Sequence, residues 1–226
     1  MFRRFHIKKH IIFQRVVITT VTLLPMIVLL GACRGLMKCN GQYLLADGLT
    51  CWQQIEGQEG SWKFEDGVLY TEGDGGGWLS TIKQYSDFCL ELEFRVPPGG
   101  NSGVFLRAPH KGDPAYDGME IQVLDDYAPE YANLRPTQYT GSIYDVQPPT
   151  KKASKKAKQW QKMKIRCIGP NVKVELNGKK IVLANLEEHL DKLEKHPGLA
   201  RTEGFIGLQN HGSRIEYRNI KIYTCK

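Results

Sequence analysis

One carboxylate, one imidazole, one guanidinium and two amides fall on matching faces of three strand-like runs. The runs are Gly103-Val-Phe-Leu-Arg107, Met119-Glu-Ile-Gln-Val-Leu124 and Gly204-Phe-Ile-Gly-Leu-Gln-Asn-His211. Successive side chains of a strand point to opposite faces. Phe105 and Arg107 therefore share a face, as do Glu120 and Gln122, and Gln209 and His211. Val104, Leu106, Met119, Ile121, Val123, Ile206 and Leu208 take the other face and supply an apolar back. A carboxyl and an imidazole can exchange protons near neutral pH. A guanidinium offers a fixed fork of donors, and amides bridge hydroxyl groups. Asp125 has the opposite parity from Glu120 but ends its strand, where a loop can redirect it. Tyr144, Trp78 and Trp160 offer flat rings for stacking, although a Trp such as Trp160 is more often a core residue. Each residue also has a plainer role open to it. Glu120 and Arg107 can pair across neighbouring strands, and His211 can serve the turn before Gly212.

These side chains need a sheet to carry them, and the rest of the chain reads as one. Trp62-Lys-Phe-Glu-Asp-Gly-Val-Leu-Tyr70 is a hairpin with Asp66-Gly67 as its turn. Phe88-Cys-Leu-Glu-Leu-Glu-Phe-Arg95 alternates as a strand and stops at Pro97-Pro-Gly-Gly100. Residues 160–168 and 172–176 alternate likewise, and Asn177-Gly178 turns the chain into residues 180–183. Residues 214–224 close the pattern. Leu186, Leu190 and Leu193 have helical spacing, which predicts one short helix over 186–195. About a dozen short strands with a single helix predict an all-β, two-sheet antiparallel jelly-roll sandwich. Residues 107–119 and 125–159 are long connections, a length common in functional loops. The lysines at 151, 152, 155, 156 and 158 read as a solvated loop. The glycines of 73–77 open no helix and precede no Lys-Ser/Thr, so they are no phosphate loop.

The first 32 residues place the protein outside the cytoplasm. Arg3, Arg4, Lys8, Lys9 and Arg15 stand there without an acid, followed by an apolar run from Val16 to Leu30. Leu30-Gly-Ala-Cys33 resembles the lipobox of bacterial lipoproteins. We expect a signal peptide over 1–32, lipidation of Cys33, a tether over 33–44 and a folded domain over 45–226. The expected location is the bacterial cell envelope, with the membrane held through the lipid. Subtracting the five signal cations from the 31 of the whole chain leaves 26 against 24 acids. A basic pI is then no argument for nucleic acid, and none is expected as a partner. Five of the six Cys follow Cys33. They lack a C-x-x-C pair, and packing or one disulfide accounts for them. His110, Asp113 and Asp117 share a loop without a ligand spacing, so no metal or other cofactor is expected, a structural calcium being allowed but not indicated.

The order of motifs carries further meaning. Asn101-Ser-Gly-Val-Phe-Leu-Arg107 is followed by Gly118-Met-Glu-Ile-Gln-Val-Leu-Asp-Asp126, Thr140-Gly-Ser-Ile-Tyr-Asp145, Trp160, and Val174-Glu-Leu-Asn-Gly178. Gly204-Phe-Ile-Gly-Leu-Gln-Asn-His-Gly212 and Tyr217-Arg-Asn-Ile-Lys-Ile222 complete it. This series resembles the 3-keto-disaccharide hydrolase domain family over about residues 45–224. Gln161 stands where members usually have Asn. The resemblance implies a concanavalin-like sandwich and action on sugars whose 3-hydroxyl has been oxidised to a ketone, supplied by an upstream sugar dehydrogenase. Such a ketone acidifies the hydrogen on C2. A base can remove it, and the C1 substituent then leaves with help from an acid. On that reading Glu120 and His211 do the acid and base work, and Arg107 holds the ketone or enolate oxygen. Gln122, Gln209, Tyr144 and Asp125 bind the substrate. The alternative is a carbohydrate-binding sandwich without catalysis, which predicts a shallow aromatic groove in place of a polar pocket.

Overall fold

The computed structural model describes residues 39–225. Cys33, the signal peptide and the first part of the tether lie outside them. Thirteen strands pair antiparallel in two sheets. In chain order they are β1 Cys39–Tyr43, β2 Trp52–Ile55, β3 Trp62–Glu65, β4 Val68–Thr71, β5 Trp78–Thr81, β6 Phe88–Arg95 and β7 Asn101–Ala108. Then come β8 Met119–Leu124, β9 Gln161–Ile168, β10 Asn171–Leu176, β11 Lys179–Asn185, β12 Phe205–Gln209 and β13 Ile215–Cys225. The larger sheet runs β11-β10-β9-β6-β13-β4-β3, with β1 added on β13; the smaller runs β2-β5-β12-β7-β8.

Alternation explains both sheets. β6 and β9 bury every second residue, and Leu90, Leu92, Phe94, Met163 and Ile165 meet Leu79, Val104, Ile121, Ile206 and Leu208 of the smaller sheet in one core. The hairpin turns Asp66-Gly67 and Asn177-Gly178 both have positive φ at their two central positions, the left-handed pair that suits strand twist. Cys167 lies in this core, where burial pushes its thiol up to about 11. That environment suits packing and not thiolate chemistry.

Three details differ from the sequence expectation. β1 pairs residue by residue with β13, Cys39 opposite Cys225 and Tyr43 opposite Lys221, so residues 39–43 belong to the sheet and not to a tether. The short helix near 186 is a 3-10 helix, Leu186–Lys192, capped by Asn185 accepting from the Glu187 amide. Leu186 is buried but Leu190 is half exposed, so the leucine spacing does not form one apolar stripe. Trp160 is neither core nor site: it lies between the Arg95 and Arg218 guanidinium groups, 4.7 and 4.0 Å from its ring. Gln161 is buried and structural, accepting from the Lys155 amide and the Asn177 side chain.

Candidate active site

The smaller sheet has one face in the core and one facing away from it. Its ladder fixes what stands on that second face. Trp78 pairs with Gln209, Gly207 with Phe105, Phe105 with Glu120, and Gly103 with Gln122. Asn101 follows at the end of β7. Polar groups therefore gather over β7, β8 and β12 because the alternation of all three strands agrees.

The loop 109–118 and the segment 140–147 wall this face. Tyr144 N–H donates to the Glu120 carbonyl at 2.9 Å, and Gln122 N–H to the Ser142 carbonyl at 3.1 Å, so residues 141–144 add an edge to β8. A cavity of about 190 Å³ results, lined by Asn101, Asp113, Ala115, Tyr116, Glu120, Gln122, Tyr144, Gln209 and His211. Five of the seven site residues expected from the sequence line it: Glu120, His211, Gln122, Gln209 and Tyr144.

Glu120 is the buried carboxyl in its lining. Only 4% of the residue is exposed. Burial, then the charges of Asp113 and Asp145, push its pKa up to about 8. Its carboxyl is therefore protonated at neutral pH. The space it occupies exists because residue 103 is glycine, where a Cβ would collide with the carboxyl. His211 is exposed at the cavity edge, and Asn101 Nδ2 lies 3.4 Å from its Nδ1, which steadies the ring. Asn101 Oδ1 and Gln209 Oε1 are buried without partners, two acceptors facing a cavity. Gln122 Oε1 accepts from the Val123 amide, which leaves its NH₂ as the free end. Ser102 supports Gln209 from below, donating to its carbonyl at 2.6 Å and touching the Tyr217 hydroxyl of the opposite sheet at 2.8 Å.

The far wall is closed. Tyr144 meets Tyr116 edge-on, centroids 6.3 Å apart, and its hydroxyl accepts from Gln138 at 3.0 Å. Tyr116 packs on His196, and Lys195 Nζ sits 5.3 Å from its ring. Lys195 and Arg135 both pair with Asp145. Burial pulls the Asp145 carboxyl upward, but these two cations outweigh it and hold it below the usual range.

Arg107 and Asp125 do not reach the cavity. β7 carries one extra residue opposite β12, with register passing from Phe105–Gly207 to Ala108–Phe205. Arg107 takes up this bulge with φ +49 and leaves its expected face. Its guanidinium donates to the Ser86 carbonyl at 2.8 and 3.1 Å and the Arg201 carbonyl at 3.0 Å, and lies 3.5 Å from Asp87. It is 2% exposed and structural. Asp125 accepts from the Gly99 and Tyr127 amides and shapes the turn after β8. Four lining residues were missed from the sequence: Asn101, Asp113, Ala115 and Tyr116. The long loop after β7 was the available signal for Asp113 and Tyr116. Elsewhere in this loop His110 stacks on Phe205 at 3.6 Å and Asp117 accepts from the Asp113 amide at 2.8 Å. Among the described residues no group of three or more His, Cys, Asp or Glu is placed to hold a metal.

The pattern of the 3-keto-α-glucoside-1,2-lyase-like domain matches residues 40–223, nearly all that the structure describes. The chain belongs to this family. A 3-keto-disaccharide hydrolase of Bacteroides thetaiotaomicron is 28% identical over 200 residues, covering 71% of this chain and 69% of that protein. Among solved structures, a candidate glycosyl hydrolase of Parabacteroides distasonis superposes with a TM-score of 0.73 at 30% identity, over 82% of this chain and 99% of that one. A carbohydrate-binding module of Bacillus subtilis shares the fold at a TM-score of 0.51 and 16% identity, over 76% of this chain and 96% of that one. The protein is a carbohydrate-active enzyme of the hydrolase and lyase type, on a two-sheet sandwich.

Proposed function

We propose that this family member cleaves 3-keto-glycosides, 3-keto-disaccharides among them, by elimination across C1 and C2. Glu120 is the acid and His211 the base. The observation that carries this reading is the Glu120 carboxyl buried in a polar cavity, where burial favours its protonated form. A carboxyl with its proton still bound at neutral pH is suited to give it to a leaving oxygen. A retaining glycosidase would instead need an ionised carboxylate as nucleophile.

The step runs as follows. The imidazole of His211 takes the C2 proton, whose acidity comes from the C3 ketone. The electron pair forms the C1–C2 double bond as the C1–O bond breaks. Glu120 protonates the departing oxygen. Water then adds to the unsaturated ketone, and the net reaction is hydrolysis. Donors from the Gln122 amide and the tyrosine hydroxyls face the sugar. The unpartnered oxygens of Asn101 and Gln209 take its hydroxyl protons. The resemblance of Leu30-Gly-Ala-Cys33 to a lipobox supports placing this chemistry in the cell envelope, on a lipid anchor at Cys33, downstream of a sugar dehydrogenase.

The test is to incubate the protein with a 3-keto-disaccharide and with its unoxidised parent, following release by mass spectrometry. Cleavage of the keto sugar alone, lost in Glu120→Gln, is expected. Cleavage of the parent would point to an ordinary glycosidase, and binding without turnover to the carbohydrate-binding alternative.

A further inference from the structure

The long connection after β8 encloses a second cavity, of about 560 Å³. Its lining falls within residues 126–152 and shares no residue with the candidate active site. One strip of chain separates the two. Gln138 donates to the Tyr144 hydroxyl of the first cavity, while the next residues, Tyr139 and Thr140, line the second. Pro129, Pro136 and Pro149 add their rings to those of Tyr127 and Tyr139. This lining meets solvent: Tyr127, Pro129, Ala132 and Pro136 are all exposed.

Its polar atoms are nearly all spent. The Tyr127 hydroxyl donates to the Ser154 carbonyl at 3.1 Å, and the Tyr139 hydroxyl to the Tyr131 carbonyl at 3.1 Å. The buried Asp126 carboxylate accepts from the Thr140 amide at 3.0 Å and the Ser154 hydroxyl at 2.6 Å. The Thr140 hydroxyl lies 2.8 Å from the same carboxylate. The prolines bring no N–H. Lys152 is the exception. Its Nζ donates to the Asp126 carbonyl at 2.7 Å and sits 3.8 Å from the centre of the Tyr127 ring, so two of its three donors stay open. Residues 146–160, which supply it, hold five lysines and no acid.

We infer that this cavity binds a small aromatic carboxylate. A flat ring fits among the exposed tyrosine and proline rings, and its carboxylate meets the open donors of Lys152. A sugar does not suit the site, because its hydroxyl groups would find no free partners. The acid-free loop favours an anion over a neutral ligand. The inference stands apart from the elimination reading, since neither Glu120 nor His211 lines this cavity.

The test is calorimetry on the native protein with 2-naphthoate, 2-naphthamide and glucuronate. Naphthoate should bind at one site. Naphthamide keeps the rings without the charge and should bind about tenfold more weakly, the worth of one hydrogen bond to a charged group. Glucuronate carries the charge without an aromatic ring and should bind more weakly than either. Lys152→Met should bring naphthoate down to the level of naphthamide. Ala132→Trp, at an exposed position, should fill the cavity and abolish binding of both. If Lys152→Met does not fold, the native comparison of naphthoate with naphthamide decides the part played by charge. No binding of naphthoate, binding equal to that of naphthamide, or binding unchanged in Ala132→Trp would overturn the site. Glucuronate binding as tightly as naphthoate would overturn the ligand class.

Discussion

With Glu120 as the proposed acid, one proton couples chemistry to stability. Its carboxyl titrates near 8 in the folded protein against an ordinary 4.5. Between those values the folded state holds a proton that the unfolded state has released, so stability falls as pH rises through this window. The penalty reaches at most on the order of 5 kcal/mol above pH 8, at about 1.4 kcal/mol per unit. Glu120→Gln should therefore melt at a higher temperature than the native protein, with a gain that grows from pH 5 to pH 8. The same substitution should cost about 10²- to 10⁴-fold in turnover of the keto-disaccharide. A good leaving group such as nitrophenol, which departs unprotonated, should restore much of the loss. The native pH–rate profile should decline as pH rises through about 8. Asp113→Asn should move that limb to lower pH, because it removes a charge that holds the Glu120 proton in place. A limb unmoved in Asp113→Asn would show that another group sets it.

At the scale of elements, one glycine and a bulge decide which side chains the site holds. Gly103→Ala forces the Glu120 carboxyl aside, and a displacement of about 1 Å should reduce kcat by about 10²-fold with the melting temperature little changed. Arg107→Ala should do the opposite. It removes a buried side chain and its hydrogen bonds to the Ser86 and Arg201 carbonyls, so thermal melts should show a loss of about 3 kcal/mol, with turnover kept at low temperature. Strand parity was enough to bring Glu120, Gln122 and Gln209 together from sequence, because the apolar back of each strand fixes its register in the core, whereas His211 lies two residues beyond β12 and reaches the cavity edge from the turn. It failed at Arg107 because one inserted residue flips everything beyond it, and nothing in Val-Phe-Leu-Arg marks a bulge. Asp125, of opposite parity to Glu120, is not redirected toward the site by its loop and is held by the turn amides of Gly99 and Tyr127. Asn101 sits at a strand end and Asp113 and Tyr116 in a loop. No periodicity governs such positions, so only their tertiary placement reveals them.

For the molecule as a whole, the described residues form a single sandwich whose first strand lies on its last. β1 covers Cys39–Tyr43 and pairs along residues 221–225. A chain begun at residue 45 loses that edge and should melt several degrees below one begun before residue 39, at about 2–4 °C per kcal/mol for a domain of this size. Equal melting of the two would show that β1 contributes nothing. The larger sheet turns paired charges outward, Glu91 with Lys164 at 2.8 Å and Glu93 with Arg218 at 2.8 Å. The smaller sheet turns a protonated acid, an imidazole and open acceptors toward its cavity. That asymmetry divides the molecule into a face of paired charges and a face that carries a polar cavity.

The central claim is that the C2 hydrogen leaves during cleavage, and deuterium reports it directly. The native enzyme is run on a 3-keto-disaccharide in D₂O, and the released keto sugar is analysed for deuterium at C2 against an enzyme-free control of the same age. Elimination followed by addition of water places one deuterium at C2 in each turnover, and His211→Ala should lose both cleavage and labelling. Release of a keto sugar with no deuterium above the control would mean that C1–O breaks without C2–H removal, and would contradict the account.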